Sequence, residues 1–189
     1  MKEQTAFPVK RGPWTTLSSR EIYQNPWIRV REDQVLQPGG GQGIYGVVET
    51  RAATGVLALT EDNELYLVGQ YRYPTERYSW EIIEGGAEEG EEPISAAKRE
   101  LLEEAHLIAA DWQMLQEGIQ LSNCHSSELA YFFVARGLTT GIAEEVDPTE
   151  ELELRRMPLA KAKELVLSGE ISDAMSVIGI LLLCTKLGI

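Results

Sequence analysis

One stretch, residues 85–107, restricts this chain more than any other: GGAEEGEEPISAAKRELLEEAHL. Two glycines open a turn, and Pro93 suits the first turn of a helix, where its missing N–H has no partner to lose. From Ile94 onward Ser95, Ala96, Ala97, Lys98, Arg99 and the leucines propagate that helix. On it Glu100, Glu103 and Glu104 stand at i, i+3 and i+4, which places three carboxylates on one face. Like charges at that spacing destabilise a bare helix, so a positive charge belongs among them. Hard divalent cations take oxygen ligands, and Mg2+ uses a few carboxylates together with waters and substrate phosphates. Gly85 and Gly86 let the backbone turn over the helix start and bring a carbonyl oxygen toward the same ion.

Most glutamate runs on helices are simply solvated faces. Here the full spacing is Gly85-x5-Glu91-x7-Arg99-Glu100-Leu101-x-Glu103-Glu104-x-x-Leu107. It resembles the Nudix box, the signature of the Nudix hydrolases, at every position but one. The exception is His106, where the family places glycine at a helix end that needs a left-handed backbone. Histidine is among the non-glycine residues enriched in that conformation, so the expectation is a surviving cap with some strain. The resemblance implies that Glu100 and Glu104 bind metal, with Glu103 close by and the Glu84 carbonyl completing the site. The ion it implies is Mg2+, with Mn2+ as the alternative. It further implies that Arg99 pairs with a box glutamate, Glu91, and holds the cluster in register. A carboxylate is also needed to orient or deprotonate the attacking water. In the family subgroup described next it comes from a later loop, where Glu150 and Glu151 are the candidates, with Glu144 and Glu145 behind them.

The likeness extends beyond the box. Residues 66–74, YLVGQYRYP, followed by Trp80-Glu81-Ile82-Ile83-Glu84-Gly85-Gly86, resemble the approach to the box in ADP-ribose and other nucleoside-diphosphate-sugar pyrophosphatases. So do the strand-rich N-terminal segment and GEISDA at 169–174, leading into an apolar helix; together these span residues 20–187. The implied fold is α+β: a mixed sheet between helices, preceded by an antiparallel strand extension. Residues 1–50 are then an arm and extension serving dimerisation, and 51–189 the hydrolase domain. The implied reaction is hydrolysis of ADP-ribose to AMP and ribose 5-phosphate, with GDP-mannose or another such sugar as the runner-up. A non-catalytic ADP-ribose-binding module is the competing class, but such modules usually lose box carboxylates, which this chain keeps. Arg51 and Arg72 are candidates for the diphosphate, because guanidinium matches phosphate geometry; the bland alternative is a surface ion pair. Tyr23 or Trp27 is a candidate to stack on the base, across a homodimer; the bland alternative is a place in the core. Subgroup members often carry a proline in the loop after the box, where Asn123 stands nearest here.

The net charge of −13 disfavours a nucleic-acid partner, which recruits basic patches. It leaves room for a small phosphorylated substrate, since a bound cation inverts the local field. Cys124 and Cys184 form no C-x-x-C pair, which points to a reduced cytoplasm without a disulfide. The first residues lack the apolar core of a signal peptide, and the apolar run 175–187 is shorter than a membrane span of about 20 residues, so no membrane is expected. Residues 1–20 read as an irregular arm, and strands are expected over 20–23, 27–31, 44–49, 55–60, 65–70, 115–121 and 129–135. The polar turn at 122–127 carries Cys124 and His125, which lack the partners of a metal site. An acidic loop follows at 141–151, then a helix over 159–167, and Ser172-Asp173 offers an N-cap for the last helix.

Overall fold

The computed structural model describes residues 6–143 and 151–189. The chain divides into two compact units, residues 1–51 with 122–128 and residues 52–121 with 129–189.

The first unit is an antiparallel sheet of β1 (Val9–Arg11), β2 (Trp14–Gln24), β3 (Arg29–Leu36) and β4 (Gln42–Glu49), in that order. The expected irregular arm over 1–20 is therefore wrong for most of its length. Gly12 and Pro13, which suggested irregularity, are the two connecting residues of a hairpin in which Arg11 pairs with Trp14. Gly12 has φ +57°, the left-handed conformation that such a tight connection demands. The gap between the strands expected over 20–23 and 27–31 is the next turn, at Asn25-Pro26. There Asn25 Oδ1 accepts the N–H groups of Trp27 and Ile28 at 2.9 and 2.8 Å, a side chain imitating a backbone turn. Residues 122–128 run beside β4, with the Val48 N–H on the His125 carbonyl at 2.7 Å.

The second unit contains β5 (Ala53–Ala58), β6 (Glu64–Arg72), β7 (Arg77–Glu81), β8 (Ile83–Gly86), α1 (Pro93–Ala105), β9 (Leu107–Gln120), β10 (Leu129–Thr140), β11 (Glu153–Pro158), α2 (Leu159–Ser168) and α3 (Ala174–Leu187). One sheet has the order β8-β5-β10-β9 and the other β11-β6-β7. The first is mixed: β5 and β10 run parallel, and their partners β8 and β9 are antiparallel to them. Every residue of β5 is buried, because helices cover both faces of its sheet. Val56 and Ala58, with Phe133 and Ala135 of β10, meet Ala97, Leu101 and Ala105 of α1. Leu57, with Phe132 and Val134, meets Met175, Ile180 and Leu183 of α3 on the other face. Gly179 lets α3 press close, since a Cβ there would lie 3.3 Å from Leu57, Ile82 and Phe132 side chains.

Four strands of this unit differ from expectation, β7 and β8 because no strand is expected over 77–86. β9 begins at Leu107, directly after the box helix; it is an edge strand, mostly exposed and without clean alternation. β11 has one buried side chain, Met157, so its sequence carries little apolar signal. Among the described residues no helix is long and apolar enough to cross a membrane.

Candidate active site

Packing fixes the rotation of α1. Ala96, Ala97, Leu101 and Ala105 form its buried stripe, and truncating a fully buried leucine such as Leu101 costs about 2–5 kcal/mol. With that stripe inward, the three box glutamates lie along the flank. Glu104 is buried at 7% exposure, the Glu100 side chain is 12% exposed and that of Glu103 36%. The helix ends at His106, which has φ 52° and ψ 39°, with its N–H on the carbonyls of Leu101 and Leu102.

A hydrogen-bond network ties this flank to β8. Glu104 Oε2 accepts the main-chain N–H of Glu84 at 3.1 Å. Arg99 Nη1 donates to Glu100 Oε1 at 2.7 Å and Glu103 Oε2 at 2.9 Å. Its Nε and Nη2 donate to Glu91, and Nη2 also donates to the Gly86 carbonyl at 3.0 Å. Burial alone would lower the Arg99 pKa, but the bond to Glu91 and the charges and bonds of Glu100 and Glu103 raise it instead. The Arg99 bond holds the Glu91 carboxyl below the usual glutamate range. The Glu100 carboxyl lies against Gly85, where a Cβ would overlap it, so no side chain fits at that position without moving Glu100. Glu100 and Glu103 thus meet at Arg99 and Glu104 meets the Glu84 N–H, which lines the box carboxylates along the turn at residues 84–86; oxygen donors are the chemistry a hard divalent ion selects.

A second acidic group adjoins the first. The chain leaves β7 and enters β8, in the other sheet, at Ile82, whose N–H is taken up by Ser176 Oγ of α3 at 2.9 Å. That bond holds the start of α3 beside the crossover, where Asp173 caps the helix by accepting the Ser176 N–H at 2.7 Å. One carboxylate oxygen each from Glu81, Glu84 and Asp173 lies within 4.8 Å of the others. Arg72 bridges two of them, with Nη2 at 2.5 Å from Glu81 Oε2 and 3.1 Å from Glu84 Oε1. Burial pushes the Glu84 carboxyl well above the usual range; Asp173 and Glu81 add to the push and Arg72 opposes it. The sequence reading singled out Glu84 for its carbonyl alone and Asp173 as a cap, and it missed Glu81. In a continuous strand residues 81 and 84 face opposite sides; the crossover at Ile82 resets that parity.

The remaining candidates are dispersed. Arg72 is held in the ion pairs above, with 37% of its side chain exposed. Arg51 donates to the Pro26 carbonyl at 3.2 Å within the first unit. Tyr23 and Trp27 are 54% and 74% exposed, so neither is a core residue of its unit. Glu151 is exposed and its charge reaches Tyr78; Glu144, Glu145 and Glu150 lie outside the described residues. His125 bridges Ser122 Oγ and Cys124 Sγ at 3.2 and 3.1 Å, a local turn network.

Known proteins resemble this chain over most of its length. Residues 49–175 match the NUDIX domain and residues 14–48 the nucleoside diphosphate sugar hydrolase N-terminal domain. An ADP-ribose pyrophosphatase of Mycobacterium tuberculosis is 33% identical over 168 residues, covering 88% of this chain and 81% of that protein. An ADP-ribose pyrophosphatase of Bacillus subtilis is 31% identical over 160 residues, 84% of this chain and 86% of the relative. A crystal structure of an ADP compounds hydrolase superposes with a TM-score of 0.82 at 25% identity, covering 93% of this chain and 94% of the other.

Proposed function

The chain belongs to the Nudix hydrolase family and is a pyrophosphohydrolase, and from that premise we propose that it cleaves the diphosphate bond of ADP-ribose to give AMP and ribose 5-phosphate. The observation that carries the reading is the set of box glutamates held along the 84–86 turn, Glu100 and Glu103 by Arg99 and Glu104 by the Glu84 N–H. The N-terminal match to nucleoside diphosphate sugar hydrolases and the names of the two relatives support the choice of substrate.

The donor set fits Mg2+ or Mn2+. Glu100 and Glu104 would hold the ion, with Glu103 and the Glu84 carbonyl beside them. When bound, it supplies Lewis acidity and offsets the negative charge by which a diphosphate repels nucleophiles. The residues do the rest. Gly85 leaves space for the Glu100 carboxyl, and Arg99 fixes the directions of Glu100 and Glu103. The Glu84–Glu104 bond couples the β8 backbone to the helix. The exposed part of Arg72 orients the diphosphate. Water attacks one phosphorus, the bridging P–O bond breaks, and a carboxylate of the acidic loop, Glu150 or Glu151, takes the proton of the water. Those loop assignments rest on family resemblance.

We further propose that the protein works as a homodimer in the cytoplasm. Support comes from Ile22, Tyr23, Trp27 and Ile44, apolar residues that the first unit exposes, and from two free cysteines. Tyr23 or Trp27 is then available to stack on a base.

A panel of ADP-ribose, GDP-mannose, UDP-glucose and deoxynucleoside triphosphates with Mg2+, reading both products, tests the substrate. ADP-ribose should show the highest kcat/KM and yield AMP with ribose 5-phosphate. Preference for GDP-mannose or UDP-glucose would transfer the reading to that sugar, and turnover of triphosphates alone would overturn it.

A further inference from the structure

We propose that Ser176 is a positioning residue for diphosphate hydrolysis: through Ile82 its hydroxyl sets the free edge of β8, on which the Glu84 main chain meets the box carboxylates. β8 is an edge strand, with β5 on one side only. Along such an edge alternate residues turn their N–H and C=O groups away from the sheet. The pairs Val56–Ile83 and Thr54–Gly85, and the Ala87 N–H on the Ala52 carbonyl at 2.8 Å, mark the row that faces β5. Ile82, Glu84 and Gly86 make the free row. Side chains fill it in order: Ser176 Oγ accepts the Ile82 N–H at 2.9 Å, Glu104 Oε2 accepts the Glu84 N–H at 3.1 Å, and Arg99 donates to the Gly86 carbonyl at 3.0 Å. Glu104 and Arg99 belong to the box. Ser176 comes from outside it, on α3.

Ile82 depends on that hydroxyl. It falls between β7 and β8 and has no strand partner of its own. It is also fully buried, so no water stands in for a lost acceptor. The same helix seats its side chain: Ile82 Cδ1 would lie 2.8 Å from a Cβ at Gly55 of β5 and 3.3 Å from one at Gly179 of α3. β8 is four residues long, which leaves little strand over which a shift at Ile82 can decay before Glu84. Ser176 is itself fully buried. A hydroxyl is costly there unless bonded, and alanine is the better helix former. Asp173 accepts the Ser176 N–H at 2.7 Å and fixes the helical turn that carries the hydroxyl.

A merely structural serine would cost stability when removed and nothing else. A positioning serine also displaces the Glu84 main chain. The inference rests on the proposed role of the Glu84 carbonyl as an ion ligand, so one readout must be independent of ion and substrate. Hydrogen exchange at the Glu84 amide of the ion-free protein supplies it.

The test compares full-length wild type, Ser176→Ala and Ile180→Val, a control that trims the same helix away from the crossover and lowers Tm. In Ser176→Ala the Glu84 amide, relative to that of Leu101 in α1, should exchange at least about tenfold faster. Mn2+, followed by electron paramagnetic resonance of the free ion, should bind at least about tenfold more weakly, and kcat on the best substrate of the panel should fall about 10- to 100-fold. KM should stay within about threefold, as for a loss confined to the reacting centre. Ile180→Val should keep wild-type values of all four. Wild-type kcat in Ser176→Ala, or equal losses in Ile180→Val, would overturn the proposal. Faster exchange and lower kcat with unchanged Mn2+ affinity would uphold Ser176 and remove the Glu84 carbonyl from the ion. Should the alanine variant not fold, Ser176→Cys, with a weaker acceptor in its place, carries the same comparison, and wild-type kcat in it overturns the proposal equally.

Discussion

Replacing His106 separates backbone strain from every other effect, because the side chain is exposed and its backbone is fixed on both sides. Its N–H binds the Leu101 and Leu102 carbonyls, and its own carbonyl accepts the Gly141 N–H at 2.8 Å. At φ 52° an L-residue carries about 1–2 kcal/mol of strain. His106→Gly relieves it but adds an unfolded-state entropy cost of about 0.5–1 kcal/mol. The balance is a stabilisation of about 0.5–1 kcal/mol, or a rise of about 1–4 °C in Tm for a domain of this size. His106→Val goes the other way, since a β-branched side chain tolerates this conformation worst; a loss of about 1–2 kcal/mol lowers Tm by about 2–8 °C. Differential scanning calorimetry on the three proteins, checked by urea unfolding, reads the order glycine, histidine, valine. Glycine and valine variants melting within 1 °C of each other would refute the strain argument.

Gly85→Ala drives a methyl into the Glu100 carboxyl. Displacing a catalytic carboxylate by about 1 Å should cut kcat about 100-fold, while Tm holds, because the displaced group is the end of a flexible side chain; wild-type kcat would contradict the packing. Glu91 is held below its ordinary range chiefly by its bond to Arg99, so its contribution is present above the unfolded value near 4.3 and is lost as pH falls through the lower folded value. Wild type should therefore melt above Glu91→Gln by a few degrees at pH 7, for a charged bond of about 1–2 kcal/mol, with the gap closing below about pH 4; a gap independent of pH would argue against the pairing. Deleting residues 1–45 should convert a dimer to a monomer and raise KM. Mixing that chain with full-length Glu104→Gln should restore part of the activity if N-terminal strands complete the partner's pocket. A full-length protein that is monomeric by light scattering with unimpaired KM would rule out the shared site.

Local patterns of residue type carried much of this architecture. The box spacing located α1 and its carboxylates, Pro93 opened the helix, and Asp173 capped α3 as its position suggested. Features that depend on residues distant in sequence were hidden. Glu81 joins Glu84 only because the strand changes sheets at Ile82 and borrows a hydroxyl from Ser176, 94 positions later. The β11 strand forms on β6 with one buried side chain, so no alternation announces it. Gly12-Pro13 suggests an irregular arm by composition, although the same two residues connect a hairpin. Arg72, chosen for its affinity for phosphate, is engaged by two carboxylates of its own chain, a pairing that no residue spacing near it reveals.

If the box carboxylates perform diphosphate hydrolysis with a divalent ion, turnover requires both. The most direct measurement is single-turnover cleavage of ADP-ribose by wild type and Glu104→Gln at saturating Mg2+, with the same reaction in excess chelator. Wild type should give AMP and ribose 5-phosphate, the folded variant should react at least about 1,000-fold more slowly, as for loss of a main electrostatic stabiliser, and neither should react in chelator. Cleavage by Glu104→Gln within a few-fold of wild type, or full activity in chelator, would contradict that requirement.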